Sequence, residues 1–457
     1  MRARKAGLAV LLFLIGLTAG VFLERYDLEP ATTIRGTLSA TRVAIAMLRR
    51  AVGQTPPASL GDRPITDTPG VAVLDKQDMA PGLTLLASGG PEVKLIDADG
   101  KIVHHWRVPV EDLFTLPGLL KPEDIVIDGL TLLPDGGLVA LLLDEQEFPA
   151  FHWDDTVTNT VLVKLDKDSK LVWSFTGNPH HDVRQAPNGH FLVLVAREGR
   201  TPPRDGLALP PRFRDEGVAE LDEDGHPVRT IWLADAIARS SYASLFAILD
   251  EGWHGCPEDG HYCWDLFHAN TIEIVPAEAS AKFPAVAAGD WLVNLRDTDT
   301  VVAIDPATGI VRWARRGPWH HAHDAELTAQ GTLMIFDNRA AIGSLEPSRV
   351  LEIDPANGAE LWSYDGGKEH PFSSSVRGTK DPLKNGNVLI TESTGGRAFE
   401  VTRAGKLVWQ YVSAPWPGSR FAQVIWGARR IDPANYPFLK DCTEDCAASA
   451  EPANPHP

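Results

Sequence analysis

KLIDADGKIVHHW (94–106), LVKLDKDSKLVW (162–173), AELDEDGHPVRTIW (219–232), VAIDPATGIVRW (302–313), LEIDPANGAELW (351–362) and FEVTRAGKLVWQ (399–410) are copies of one pattern. Each is an alternating apolar run, a turn rich in Asp, Gly or Pro, and a second run closing on tryptophan. Alternation with β-branched residues on both sides of such a turn specifies a β-hairpin. A second hairpin precedes most copies, as in TLLPDGGLVALLL (131–143), DVRQAPNGHFLVLV (182–195), AELTAQGTLMIFDN (325–338) and DPLKNGNVLITES (381–393). Two hairpins make a four-stranded unit that cannot bury its faces alone. Six such units predict an all-β, six-bladed β-propeller over residues 81–432. The closing residues Trp106, Trp173, Trp232, Trp313, Trp362 and Trp409 are expected to pack between neighbouring units. The first unit begins at GLTLLASG (82–89) and lacks one strand; Gln423–Ile431 is predicted to return and supply it.

Outside the repeats, Arg2, Arg4 and Lys5 precede an uncharged run from Ala6 to Leu23. That is long enough to cross a bilayer, and the flanking charges place the N-terminus in the cytoplasm. Residues 1–23 are therefore expected to be a membrane-anchor helix or an uncleaved signal, with a cleaved signal peptide as the alternative. Either reading makes the body extracytoplasmic, in the periplasm when the anchor sits in an inner membrane. Residues 24–80 read as a linker with an amphipathic helix over Thr32–Val52, and 433–457 as a C-terminal tail. Cys256 with Cys263 and Cys442 with Cys446 suit two local disulfides in an oxidising compartment. The net charge of −18 excludes a nucleic-acid partner of the usual basic kind.

The polar residues at the starts of the first strands carry the functional signal. His181, His268 and His323 begin the first strands of blades three, four and five, in HHDVRQ, FHANTIEIV and HAHDAEL. In a propeller all these starts lie at one mouth of the channel, and the second strands end there too, at Arg197, Arg296 and Asn338-Arg339. Blade six offers Glu392 and Arg397. Imidazoles, an amide (Asn270) and guanidiniums around one point suit a tetrahedral oxyanion. They disfavour a metal cation, and no metal or cofactor is assigned. Asp182 and Asp324 stand beside the histidines, as site residues or as acceptors for backbone donors at the strand start. The insertion 233–266 carries Tyr242, Phe246, Trp253 and Trp264, expected as an aromatic lid or as a stabilised surface loop.

The run WDLFHANTIEIV, WLVNLRDTDTVVAID, HAHDAEL, GTLMIFDNR and NGNVLITESTGGRAFEVTRAGKLVWQY resembles the arylsulfate sulfotransferases, over roughly residues 80–430. The resemblance implies a six-bladed propeller that moves a sulfuryl group from a phenolic sulfate ester to a phenol, without a nucleotide donor, through a sulfated histidine. It implies His323 as nucleophile, His268, Asn270 and Arg296 as holders of the sulfuryl oxygens, and His181 as a further donor or as proton carrier for the phenol. Asn338 and Arg397 join the substrate-binding set. The larger members' N-terminal sandwich domain has no room in residues 24–80, so their subunit pairing is not carried over. Two other classes compete: a metal-dependent propeller enzyme on the same histidines, and a propeller that only binds a ligand or protein.

Overall fold

The computed structural model describes residues 60–110, 113, 125–144, 160–199, 213–246, 265–339, 346–416 and 418–440. Within them six antiparallel sheets form six blades. From the innermost strand outward, blade two is Ile125–Leu132, Leu138–Asp144, Thr160–Leu165 and Leu171–Phe175, and blade three is Pro179–Gln185, Phe191–Gly199, Phe213–Leu221 and Pro227–Trp232. Blade four is Ala269–Ile274, Trp291–Leu295, Thr300–Asp305 and Ile310–Arg316. Blade five is His323–Leu327, Leu333–Asp337, Arg349–Ile353 and Glu360–Tyr364. Blade six is Thr379–Pro382, Val388–Glu392, Arg397–Val401 and Leu407–Val412.

Blade one takes its innermost strand, Ile425–Ile431, from beyond blade six, and that strand pairs antiparallel with Leu83–Ser88. The missing strand is therefore supplied by the segment named from the sequence. Each innermost strand lies beside those of the blades before and after it, so the six close a ring around a channel.

The six repeated hairpins are the third and fourth strands of each blade, counted from the channel. Their tryptophans lock one blade to the next. The indole N–H of Trp106 donates to Gly136, Trp173 to Glu223, Trp362 to Arg403 and Trp409 to Ala98, each a carbonyl in a turn of the following blade. The outer turn needs a left-handed residue, which Gly309 supplies at φ 67° in blade four. In blade two Ser169 takes that place at φ 65°, and its hydroxyl accepts the N–H of Arg107. Trp409 is wholly buried at the seam where the ring closes. Trp409→Ala is expected to cost about 4 kcal/mol, as large aromatic-to-alanine changes in cores do. The midpoint of urea unfolding measures it.

The ring reaches beyond 81–432. Gly70–Leu74, expected in the linker, adds a fifth strand to blade six, and Leu60–Pro64 pairs with Phe421–Gln423. Phe438, expected in the tail, packs edge-on against Trp106 and His104. Short strands at sheet edges carry too few alternating positions to stand out in sequence. The anchor, the amphipathic helix and all four cysteines lie outside the described residues. Among those described, no helix is long and apolar enough to cross a membrane.

Candidate active site

Four of the innermost strands are entered through a residue in the left-handed region: His181 (φ 57°), His268 (49°), Asp324 (51°) and Arg377 (58°). Such non-glycine conformations cost about 1–3 kcal/mol each and persist where surrounding contacts impose them. Here the contacts come from the neighbouring blade. Asp128 of blade two accepts the His181 N–H (3.1 Å), Asp182 accepts the Ile272 N–H (3.1 Å), and Asp324 accepts the Lys380 N–H (2.7 Å). Asp182 and Asp324 thus accept backbone donors, and both also line the channel cavity. Gly129 permits the approach of blades two and three, since a Cβ there would lie 2.6 Å from the His181 carbonyl oxygen.

The entrances bring the three histidines to one place. The His181 and His268 rings meet edge to face, with centroids 4.9 Å apart. His181 and His323 both line a channel cavity of about 90 Å³, together with Asn270, Arg377 and Trp426. The buried imidazoles differ in charge because their second-nitrogen partners differ. His268 Nδ1 lies 2.8 Å from a carboxylate oxygen of Asp265. Burial works against the imidazolium, but Asp265, helped by Asp297, outweighs it, and the His268 pKa is raised. Burial also opposes charge on Asp265, yet Arg214 and His268 hold its carboxyl well below the ordinary range.

His323 is the opposite case. Burial, then the positive charge of Arg296, push it well below the ordinary histidine value, against a smaller pull from Asn338. Its tautomer is fixed by that asparagine. The Asn338 amide nitrogen donates to the carbonyls of Ser374 (2.8 Å) and Arg377 (2.6 Å), so its oxygen faces His323 Nδ1 at 2.8 Å. Nδ1 carries the hydrogen and Nε2 keeps its lone pair. The Arg377 backbone N–H points at Nε2 from 3.3 Å. Burial also brings His181 down to about 4. His268 is therefore the imidazole that favours the proton, and His181 and His323, the two that line the cavity, shed it.

The other residues singled out from the sequence fall in several places. Asn270 lines the cavity, and one amide hydrogen goes to the carbonyl of Ala322 (2.9 Å), the residue before His323. Its second hydrogen remains a donor. Arg296 is held by Asp297 at 2.6 Å, and its charge acts on both His268 and His323. Asn338 orients His323, whereas the sequence reading had it bind substrate. Arg397 lies away from the cavity, paired with Glu392 and donating to the Pro371 carbonyl. Arg197 pairs with Asp215 and stacks over Trp232. His320 is exposed and pairs with Asp299, so of the crowded histidines His323 is the one at the cavity. Phe246 is buried against Phe267, and Tyr242 packs into the same core, so neither forms a lid; apolar burial between blades outweighs a place over the mouth. Trp253 and Trp264 lie outside the described residues.

Arg377 was missed. It precedes the innermost strand of blade six, the register that identified the histidines, and applying that rule to blade six would have found it. Its guanidinium stacks 3.9 Å over Trp426 and lies 3.6 Å from Asp128. Asn338→Ala is expected to free the His323 tautomer and lower kcat by about 10²-fold with a small change in KM, since misorienting an imidazole base costs up to about 10⁴. Steady-state kinetics measures the split.

Among the described residues no three His, Cys, Asp or Glu side chains assemble as a metal-ligand set. The fold and mouth define a class: a six-bladed propeller whose channel end carries a histidine–arginine centre suited to an oxyanion. The family model for arylsulfotransferase (ASST) matches residues 150–414, and the chain belongs to that family. Family membership supports a sulfotransferase. No curated protein matches the chain significantly. Solved structures with a similar course include a protein of unknown function from Bacteroides caccae (13% identity, 77% of this chain and 99% of that one, TM-score 0.47). Others are the β-propeller domain of Cps50 (Swd1) from Myceliophteria thermophila (12%, 77% and 89%, 0.39) and virginiamycin B lyase from Staphylococcus aureus (11%, 64% and 71%, 0.33).

Proposed function

We propose that the protein transfers a sulfuryl group from an aryl sulfate to a phenol through a sulfated His323. The observation that carries this reading is the gathering of three imidazoles, His268 held against the Asp265 carboxylate and His323 held in one tautomer by Asn338. A neutral imidazole with a fixed lone pair is a nucleophile near pH 7. An imidazolium and a guanidinium beside it oppose the negative charge of a sulfate ester and stabilise it as it shifts in the transition state.

In the first half-reaction His323 Nε2 attacks sulfur, displacing its weak contact with the Arg377 N–H, and the bond from sulfur to the aryl oxygen breaks. His323 keeps its Nδ1 hydrogen on Asn338, so the product is a sulfated imidazolium. His268, Arg296 and the free Asn270 hydrogen hold the sulfuryl oxygens. His181, staying neutral by taking a hydrogen at Nδ1, delivers the one on Nε2 to the departing phenolate. In the second half-reaction His181 takes the proton of an acceptor phenol, whose oxygen attacks sulfur and restores neutral His323. The apolar wall of Ile127, Leu130 and Trp426 supports placement of the aromatic ring opposite the histidines. The basic and then apolar N-terminus supports an extracytoplasmic, membrane-anchored setting.

The test is incubation with phenyl sulfate and a second phenol. A new aryl sulfate ester, with parallel lines when donor and acceptor are varied, is expected. Release of inorganic sulfate alone, or no turnover, would overturn the reading.

A further inference from the structure

Behind His181, away from the cavity, lie two buried titratable side chains that the mechanism above leaves unused. His180 and Glu216 are 5% and 0% exposed. His180 Nδ1 lies 2.9 Å from His181 Nδ1, with the rings perpendicular. On its other side, His180 Nε2 faces Glu216 Oε1 at 3.6 Å. Neither of those two atoms makes a hydrogen bond within the described residues. Buried polar atoms without partners are uncommon, and each calls for a reason. The other Glu216 oxygen is anchored by the Ala269 N–H at 2.7 Å, beside His268.

We propose that Glu216 and His180 form a proton relay behind His181, holding between half-reactions the proton that an acceptor phenol loses and a leaving phenolate needs. The proposal rests on the sulfuryl-transfer reading and adds two residues to it. The tautomers follow from the contacts. For His181 to act as a base at Nε2, its hydrogen must sit on Nδ1 and be donated to His180 Nδ1. His180 then carries its own hydrogen on Nε2, pointing at the Glu216 carboxylate. When His181 Nε2 receives the phenol proton, the Nδ1 hydrogen passes to His180 Nδ1. The His180 Nε2 hydrogen passes to Glu216 Oε1. One proton enters, one is stored as the neutral carboxylic acid, and both imidazoles end neutral with exchanged tautomers. The reverse sequence delivers that proton to the phenolate of the next donor. No other reactant is needed, because each cycle removes one proton from an acceptor and returns one to a leaving group.

The electrostatics agree. Burial, and then Asp265, push the Glu216 carboxyl up to about 8 against the pull of Arg214 and His268, so it exchanges a proton near neutrality. Burial lowers both His180 and His181, so neither imidazole retains the charge. The charged and titratable groups around the relay are Arg214, Asp265, His268 and His181, with Arg214 Nε 3.4 Å from Glu216 Oε1. The 3.6 Å gap exceeds an ordinary hydrogen bond by about 0.6 Å, within reach of a small side-chain shift.

The experiment is single-turnover phenol release with donor alone, comparing phenyl sulfate with 4-nitrophenyl sulfate, whose leaving group is more acidic and needs less proton help. Wild type, Glu216→Gln and His180→Gln are compared, so that either variant serves if the other fails to fold. General acid catalysis contributes about 10²–10⁴; the variants are expected to slow phenyl sulfate about 10²-fold and 4-nitrophenyl sulfate about fivefold. Equal slowing of both donors in variants of an active wild type would overturn the relay alone. A wild type that releases neither phenol would remove the transfer reading on which the relay stands.

Discussion

Replacing His323 by asparagine is expected to lower transfer from phenyl sulfate to a second phenol by about 10⁴-fold or more, the scale on which enzymes lose a covalent nucleophile. Asparagine fits the space and leaves Asn338 a polar neighbour, so the loss reflects chemistry. Equal urea midpoints for the two proteins would check this. Wild type incubated with donor alone is expected to gain the mass of one sulfuryl group on the peptide containing His323, and His323→Asn to gain none. Equal phenol release by both proteins, or a sulfated peptide that lacks His323, would sink the assignment.

The second large effect concerns His268, and its sign follows from the direction of its shift. Its pKa is raised in the folded protein, so the imidazolium is full below the ordinary value of about 6.5 and is lost as pH rises through the raised value. Its stabilising ion pair with Asp265 fades over the same interval. Transfer is therefore expected to fall on the alkaline side with His268. His323, whose pKa is lowered, stays neutral well into mild acid and sets no limb near neutrality. Asp265→Asn removes the charge that raises His268. The alkaline limb should move to lower pH, with a loss of up to about 10²–10³ in the interval between the two limbs, the cost of one pre-aimed oxyanion donor. At pH 6 the loss should be smaller. A pH–rate profile unchanged in shape would show that His268 does not act as a cation.

The propeller was legible because its information is local and repeated. Six hairpins with tryptophan at one register left little freedom of topology, and the unpaired first blade named its own partner at 423–431. The histidines were legible for the same reason, since equal register in equal units means adjacency. The reading faltered where a residue's neighbours come from another blade. Nothing near Asn338 in the chain shows that its amide is committed to Ser374 and Arg377. Arg397 was set in the substrate-binding group, with a salt bridge to Glu392 as its other reading, and Glu392 holds it. The different charges of His268 and His323 arise from Asp265 and Arg296, groups ordered only by the closed ring. Arg377 escaped because the register rule was applied to histidines and not to every strand start.

The closing strand Ile425–Ile431 carries Arg429, which grips Asp324 at 2.7 Å. Asp324 directly follows His323, so the footing of the proposed nucleophile depends on a strand made after all the other blades. During synthesis the chain would hold every catalytic side chain long before it could use them. Turnover by the proposed route would thereby report completed synthesis, and a chain stopped short of 425 is expected to carry the full set of reactive groups and remain inert.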